Sequence, residues 1–245
     1  MATKDWNGES IYWATILYAR LWWNSDGPRL LSIREFGKME PKMLRGIAME
    51  YNVNRGIVGA DKDKDRAAEG LCELLNDARE TWPTGLVDRA EACREILDKA
   101  MKSDSYVHGY QISAITKFMW FLKPDGWTVF DSFAAQGAGV NRVSGSCKRM
   151  ELFYQKLTDL GFERLSQEMQ VMIDVDVFGE LPATRILDMH LMILGKYGPD
   201  KLAIGSLENF LLVLPNQTSQ ELKALAEKLQ SRFGNDVFAS KNRLP

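Results

Sequence analysis

Between Lys117 and Pro124 the chain runs Phe118-Met119-Trp120-Phe121-Leu122, five large apolar residues with no polar one among them. A helix of that composition has no face to give to water, so protein must surround it on most sides. The stretch around it, residues 111–132, then dictates its own punctuation. Pro124 ends the helix, because it lacks an amide donor and its ring clashes with the preceding turn, and Asp125-Gly126 supplies a turn. Trp127-Thr128-Val129-Phe130 reads as a short β-prone or extended bridge. Asp131 stands where a helix cap is expected, with Ser132, Phe133, Ala134 and Ala135 behind it.

What surrounds this helix is more helix. Residues 8–24 are apolar nearly all round, from Ile11 to Trp23, and predict a core or interface helix. The 3.6-residue spacing predicts further helices over 40–52, 64–80, 87–101, 150–160, 164–173, 182–194 and 219–233, with a further segment at 204–214 before the last. The run at 61–65 is a charged lead-in, residues 102–109 are turn-like, and 174–179 is a loop or helix end. Strand signals are scarce, so the expected class is all-α. With 245 residues, 45% of them hydrophobic and 26% charged, the chain can bury a sizeable core, as one large domain or as two lobes sharing a cleft bordered by 105–150.

Two charges stand out against the apolar stretch. Lys117, placed on the first turn of its helix, meets partial positive charge from the helix end and loses hydration, both of which disfavour the ammonium form. Fourteen positions later comes Asp131, after a sharp break and at the start of a second helix. A partly neutral amine facing a capped, ionised carboxylate would form a nucleophile with an anionic partner, the pairing needed to attack a sugar C1′ and expel a base. The plainer reading gives Lys117 a solvated head on an apolar stem, and makes Asp131 an N-cap worth about 1 kcal/mol.

The string Thr116-Lys117-Phe118-Met119-Trp120-Phe121-Leu122-Lys123-Pro124-Asp125-Gly126-Trp127-Thr128-Val129-Phe130-Asp131-Ser132 resembles a segment of bacterial proteins with the 8-oxoguanine DNA glycosylase fold. There the recurring pattern is S-K-x-L-x-F-L-x-P-D-x-x-P-I-Y-D-S. The resemblance implies two helical lobes around a cleft, in the manner of the helix-hairpin-helix glycosylase superfamily. It also implies a Schiff-base lysine at Lys117, with Asp131 supporting the cationic transition state. DNA bearing a modified base is the implied partner, and base-excision repair or anti-phage defence against hypermodified bases the implied role, with abasic-site lyase activity left open. The superfamily's hairpin glycines are replaced here by Gln111-Ile112-Ser113-Ala114-Ile115-Thr116, with Gly109 the nearest glycine, so the hydroxyls of Ser113 and Thr116 become the candidate phosphate contacts.

Other candidates surround this core pair. The glycine-rich segment 136–149 carries Arg142, Lys148 and Arg149, which suit a loop following a DNA backbone or, more plainly, a connector between helices. Trp127, beside a turn, and His108, before Gly109, are candidates for a base pocket, since chemistry on a base requires its removal from the duplex. Trp120, Phe121 and Phe130 could stack on that base too, although core packing is the expectation for Phe121 and Phe130.

Composition bounds these readings. A net charge of −2 and a pI near 5.8 argue against coating nucleic acid through bulk charge and leave only a local basic face for it. Three scattered cysteines, Cys72, Cys93 and Cys147, lack any C-x-x-C and read as reduced thiols. They cannot supply the four ligands of an iron–sulfur cluster, and two histidines cannot build a histidine-rich metal centre. No cofactor is expected. The amino terminus has no signal-peptide core and no apolar run approaches membrane-spanning length, so a cytoplasmic monomer away from membranes is the expectation. The alternative to an enzyme is a helical nucleic-acid-binding or protein-interaction module that keeps the fold without its chemistry.

Overall fold

The computed structural model describes residues 9–57, 65–102, 106–140, 144–195 and 204–234. Among them there is no strand, and an isolated antiparallel bridge pairs Ile57 with Val107. The chain is all-α. Its helices are α1 (Ser10–Leu21), α2 (Gly27–Phe36), α3 (Pro41–Glu50), α4 (Asp65–Glu80), α5 (Leu86–Lys102), α6 (Ile112–Leu122) and α7 (Ser132–Gly137). They continue as α8 (Ser146–Asp159), α9 (Phe162–Gln170), α10 (Val175–Phe178), α11 (Ala183–Leu194), α12 (Ile204–Val213) and α13 (Asn216–Phe233). A π-helical turn, Trp22–Asp26, follows α1, and a 3₁₀ turn, Asn54–Gly56, follows α3.

Most of these helices stand where the apolar spacing predicts them. Two differences stand out. α2, over a stretch where the sequence predicts no element, follows directly on the π-helical turn, whose last bond runs from the Gly27 N–H to the Trp22 carbonyl. α8 starts at Ser146, four residues earlier than expected, and it buries Met150, Phe153, Tyr154 and Leu157 while Leu152 is 40% exposed. Lys148 and Arg149 therefore sit on the first turn of a helix and not in a loop. Of the charged run at 61–65 and the turn-like 102–109, residues 61–64 and 103–105 lie outside the described residues, as does Arg142.

Contacts divide the chain into two compact units, one comprising Met1–Gly27, Asp131–Asn141 and Lys156–Pro245, the other Pro28–Phe130 and Arg142–Gln155. In the first, which we call the terminal unit, α1 packs on α11 and α13, and α11 packs on α7 and α9. Ile11, Trp13, Ala14, Ile16, Tyr18 and Ala19 are all buried, as expected for a helix apolar on every side. The first amides of α1 have no acceptor within their own helix, and Gln230 of α13 supplies one: its Oε1 accepts from the N–H of Ile11 at 3.0 Å and of Tyr12 at 3.1 Å. At the crossing of α7 and α11 the backbones come so close that a Cβ on Gly137 would lie 1.9 Å from the Leu191 oxygen, and one on Gly195 would lie 1.8 Å from the Phe133 oxygen. Only glycine fits there. The buried Arg185 and Asp188 of α11 form an ion pair, and the Arg185 guanidinium lies 5.4 Å from the Tyr18 ring centre.

The second, central unit is built on α6, which packs against α3, α4 and α5. Every residue of α6 except Ser113 is buried, which is the enclosure its composition demands. Beyond Pro124 the chain stays inside. Trp127, Thr128, Val129 and Phe130 are all 5% exposed or less. Arg89 of α5 secures the turn, donating to the carbonyls of Pro83 at 2.8 Å and Asp125 at 2.5 Å. Tyr154 of α8 donates its hydroxyl to the Thr128 carbonyl at 2.8 Å, and Phe153 stacks edge-on to Phe130 at 5.8 Å.

Candidate active site

Lys117 is buried at 4% exposure on the second turn of α6, because the helix begins at Ile112. The expectation of a first-turn position is corrected, and with it the strength of the helix-end repulsion, which fades beyond the first turn. Its Nζ donates to the Ser113 hydroxyl at 2.6 Å, and the carbonyls of Ser113 and Phe130 each stand 3.4 Å away. The ring of Tyr51, just past α3, presents its centre 5.7 Å from Nζ. Such an aromatic face attracts a cation. Together these groups suit a charged amine.

Ser113 and Thr116 join the same cluster. The Ser113 hydroxyl donates to the Phe130 carbonyl at 3.0 Å while it accepts from Lys117. Thr116 is wholly buried; its hydroxyl donates to the Ser113 carbonyl at 3.1 Å and accepts from the Phe130 N–H at 3.1 Å. Both main-chain polar groups of Phe130 are thus held by α6. The Thr116 hydroxyl, expected at a phosphate, is instead engaged as donor to the Ser113 carbonyl and as acceptor from the Phe130 N–H. Ser113, half-buried, has its one hydroxyl hydrogen on Phe130 and is first of all an internal bridge.

Asp131 is the next residue in the chain and belongs to the terminal unit. It caps α7 as predicted: its backbone is extended, and its Oδ1 accepts from the Phe133 N–H at 2.7 Å. The carboxylate is half-buried.

The remaining candidates divide by exposure. Trp127, expected at a cleft, is core instead. It is 0% exposed, its indole N–H donates to the Lys123 carbonyl at 2.5 Å, and Trp82, Tyr154 and the Arg89 guanidinium surround its ring at 5.2, 6.0 and 5.6 Å. Trp120, Phe121 and Phe130 are buried as well. His108 is exposed on the loop ahead of α6, where its main-chain N–H donates to the Gly56 carbonyl at 2.8 Å. Lys148 is exposed and Arg149 half-buried.

Two concavities lie elsewhere. One of about 790 Å³ in the terminal unit is lined by Glu9, Tyr12, Trp13, Glu208, Glu227 and Gln230, among others, and one of about 280 Å³ in the central unit has Trp82, Asp88, Glu91 and Glu95 in its wall. Neither includes a residue singled out from sequence. The larger is a poor seat for a polyanion, as its carboxylates show in the phenol of Tyr12, which is pushed up by burial first and then by Glu227, Glu9 and Glu208.

No family model, curated protein or solved structure matches this chain. Among the described residues, no helix is long and apolar enough to cross a membrane. Sequence reasoning missed Tyr51 and the Phe130 carbonyl. Asn52, at φ 54°, marks the end of α3 in the left-handed conformation that asparagine tolerates, so the stop beside Tyr51 carried a local signal. The approach of its ring to Lys117 did not.

Proposed function

We propose that this chain is a DNA glycosylase of the helix-hairpin-helix kind, excising a modified base with Lys117 as nucleophile and Asp131 as its carboxylate partner. The observation that carries this reading is the position of the Lys117 amine: buried in an apolar helix, it lies within 3.4 Å of the carbonyl of Phe130, the residue bonded to Asp131. A lysine enclosed in this way is expensive unless its neighbours are arranged for it, and here two serine oxygens, a carbonyl and an aromatic face are so arranged.

In the proposed reaction, the amine gives up a proton to a base and attacks C1′ of an extruded nucleotide. The C1′–N bond breaks, the base leaves with the bonding electrons and takes up a proton, and opening of the sugar ring leaves an iminium on Nζ. Stabilising the positive charge that develops on the sugar is the larger part of the task, and an ionised Asp131 would serve it even where Lys117 forms no covalent bond. The exposed loop of His108, Gly109 and Tyr110 ahead of α6 offers the duplex a surface. Gly109 there adopts φ 70°, with open space where a side chain would stand.

Incubation with duplexes carrying oxidised guanine or glucosylated hydroxymethylcytosine, followed by borohydride, tests this reading. The expected result is a trapped protein–DNA adduct that disappears in Lys117→Ala. Base release that survives Lys117→Ala but fails in Asp131→Asn would make the enzyme monofunctional. The burial of Lys117 favours a second reading, in which the amine pins the Phe130 segment to α6 and the chain only binds nucleic acid or protein. Binding to abasic or bubbled DNA without base release, unchanged by either substitution, would establish that reading in place of the first.

A further inference from the structure

We propose that Ser113 is the positioning residue of this site, holding Lys117 as a charged and aimed amine through one hydroxyl that also grips the chain leading to Asp131. The proposal rests on the glycosylase reading for its consequence, but not for its measurement.

The argument starts from the four-residue spacing. Residues 113 and 117 lie one above the other on α6, which brings the serine oxygen to the lysine head. At 2.6 Å, the contact from Nζ to Oγ is shorter than those to the Ser113 and Phe130 carbonyls, each 3.4 Å. A hydroxyl has one hydrogen to donate, and this one goes to the Phe130 carbonyl at 3.0 Å. The lone pairs of Oγ are thereby turned towards Lys117, so the serine acts there as an acceptor. Ser113 thus fixes two things together: the rotamer of the amine and its register against residue 130.

An acceptor at that distance favours the ammonium over the free amine. Next to α3, Tyr51 offers its ring. Cys72 on α4 and Cys93 on α5 are pushed up by burial, Cys72 to about 12, and stay neutral thiols. Arg89 on α5 is turned to the carbonyls of Pro83 and Asp125. Ser113 thus favours the stored, protonated form of the nucleophile through its Oγ and bears on the pH at which a base removes the proton.

The test is a titration of the whole chain carrying lysine labelled with carbon-13 at Cε, with the Lys117 signal assigned by its absence in Lys117→Met. In Ser113→Ala the midpoint for loss of the Lys117 proton is expected to fall by about one pH unit, the size of one charge-assisted hydrogen bond. In Ser113→Thr, which keeps the oxygen, it is expected to return to that of the parent chain. A midpoint unmoved by Ser113→Ala overturns the proposal, and so does a Ser113→Thr midpoint that falls with that of alanine. Borohydride trapping on modified duplexes runs beside it. Absence of any adduct from the parent chain sinks the glycosylase reading, while the titration still decides what Ser113 does.

Discussion

Replacing Gly137 by alanine is the sharpest perturbation this fold offers, because the added methyl has nowhere to go. Its carbon would stand 1.9 Å from the Leu191 oxygen and 2.7 Å from the Leu191 carbonyl carbon, whereas real contacts of this kind essentially never fall below 3.0 Å. Relief therefore requires the backbones of α7 and α11 to part by about 1 Å, and the obstacle is main chain, not a side chain that can swing aside. Overpacking of this kind costs typically 1–3 kcal/mol and more where the neighbours are rigid. We expect about 3 kcal/mol for Gly137→Ala, which in a chain of this size lowers Tm by roughly 6–12 °C. Gly205→Ala in α12 is the matched control: nothing lies within 4 Å of its would-be Cβ, and the same methyl should stabilise by up to about 1 kcal/mol through the unfolded chain. Thermal and urea unfolding of the two variants beside the parent measure both effects. A Gly137→Ala chain within 0.5 kcal/mol of the parent, roughly the scatter of a neutral surface change, would refute the close crossing of α7 and α11. Because α7 is the helix that Asp131 caps, any change in base release by Gly137→Ala would also report on that carboxylate.

Further outcomes follow from the same geometry. His190 is 3% exposed and burial lowers its pKa to about 3, so the unfolded chain binds the extra proton first. Stability should fall as pH drops from 6.5 towards 3, by up to about 1.4 kcal/mol per pH unit from this group, and His190→Gln should remove that slope from urea unfolding measured between pH 7 and 5; an unchanged slope would refute it. Asp131→Asn keeps an acceptor for the Phe133 N–H and should stay within about 0.5 kcal/mol of the parent in stability, whereas Asp131→Ala should lose about 1 kcal/mol. If asparagine destabilises as much as alanine, the cap is not what holds α7.

The sequence was informative wherever a signal was local. The unbroken apolar run from Phe118 to Leu122 required an enclosed helix, Pro124 ended it, and Asp131 capped the next one, because helix periodicity and capping depend on residues a few positions apart. The same local logic named no element over α2 and placed the start of α8 four residues too late.

Side-chain surroundings were a different matter. Trp127 beside a turn and Thr116 on a helix have the same local appearance whether they face solvent or core. Only the packing of Trp82, Arg89 and Tyr154 decided the first, and the Phe130 amide the second. Nothing within a few residues of Ser113 announces that its hydroxyl will reach a carbonyl seventeen positions away, or that Tyr51 will turn its ring to Lys117. Sequence by itself determined the all-α class, the cap at Asp131 and the enclosed lysine-bearing helix. The tertiary structure alone decided that the Phe130 carbonyl and the Tyr51 ring join Ser113 around that lysine, because these two come from other segments and meet α6 only once the chain has packed.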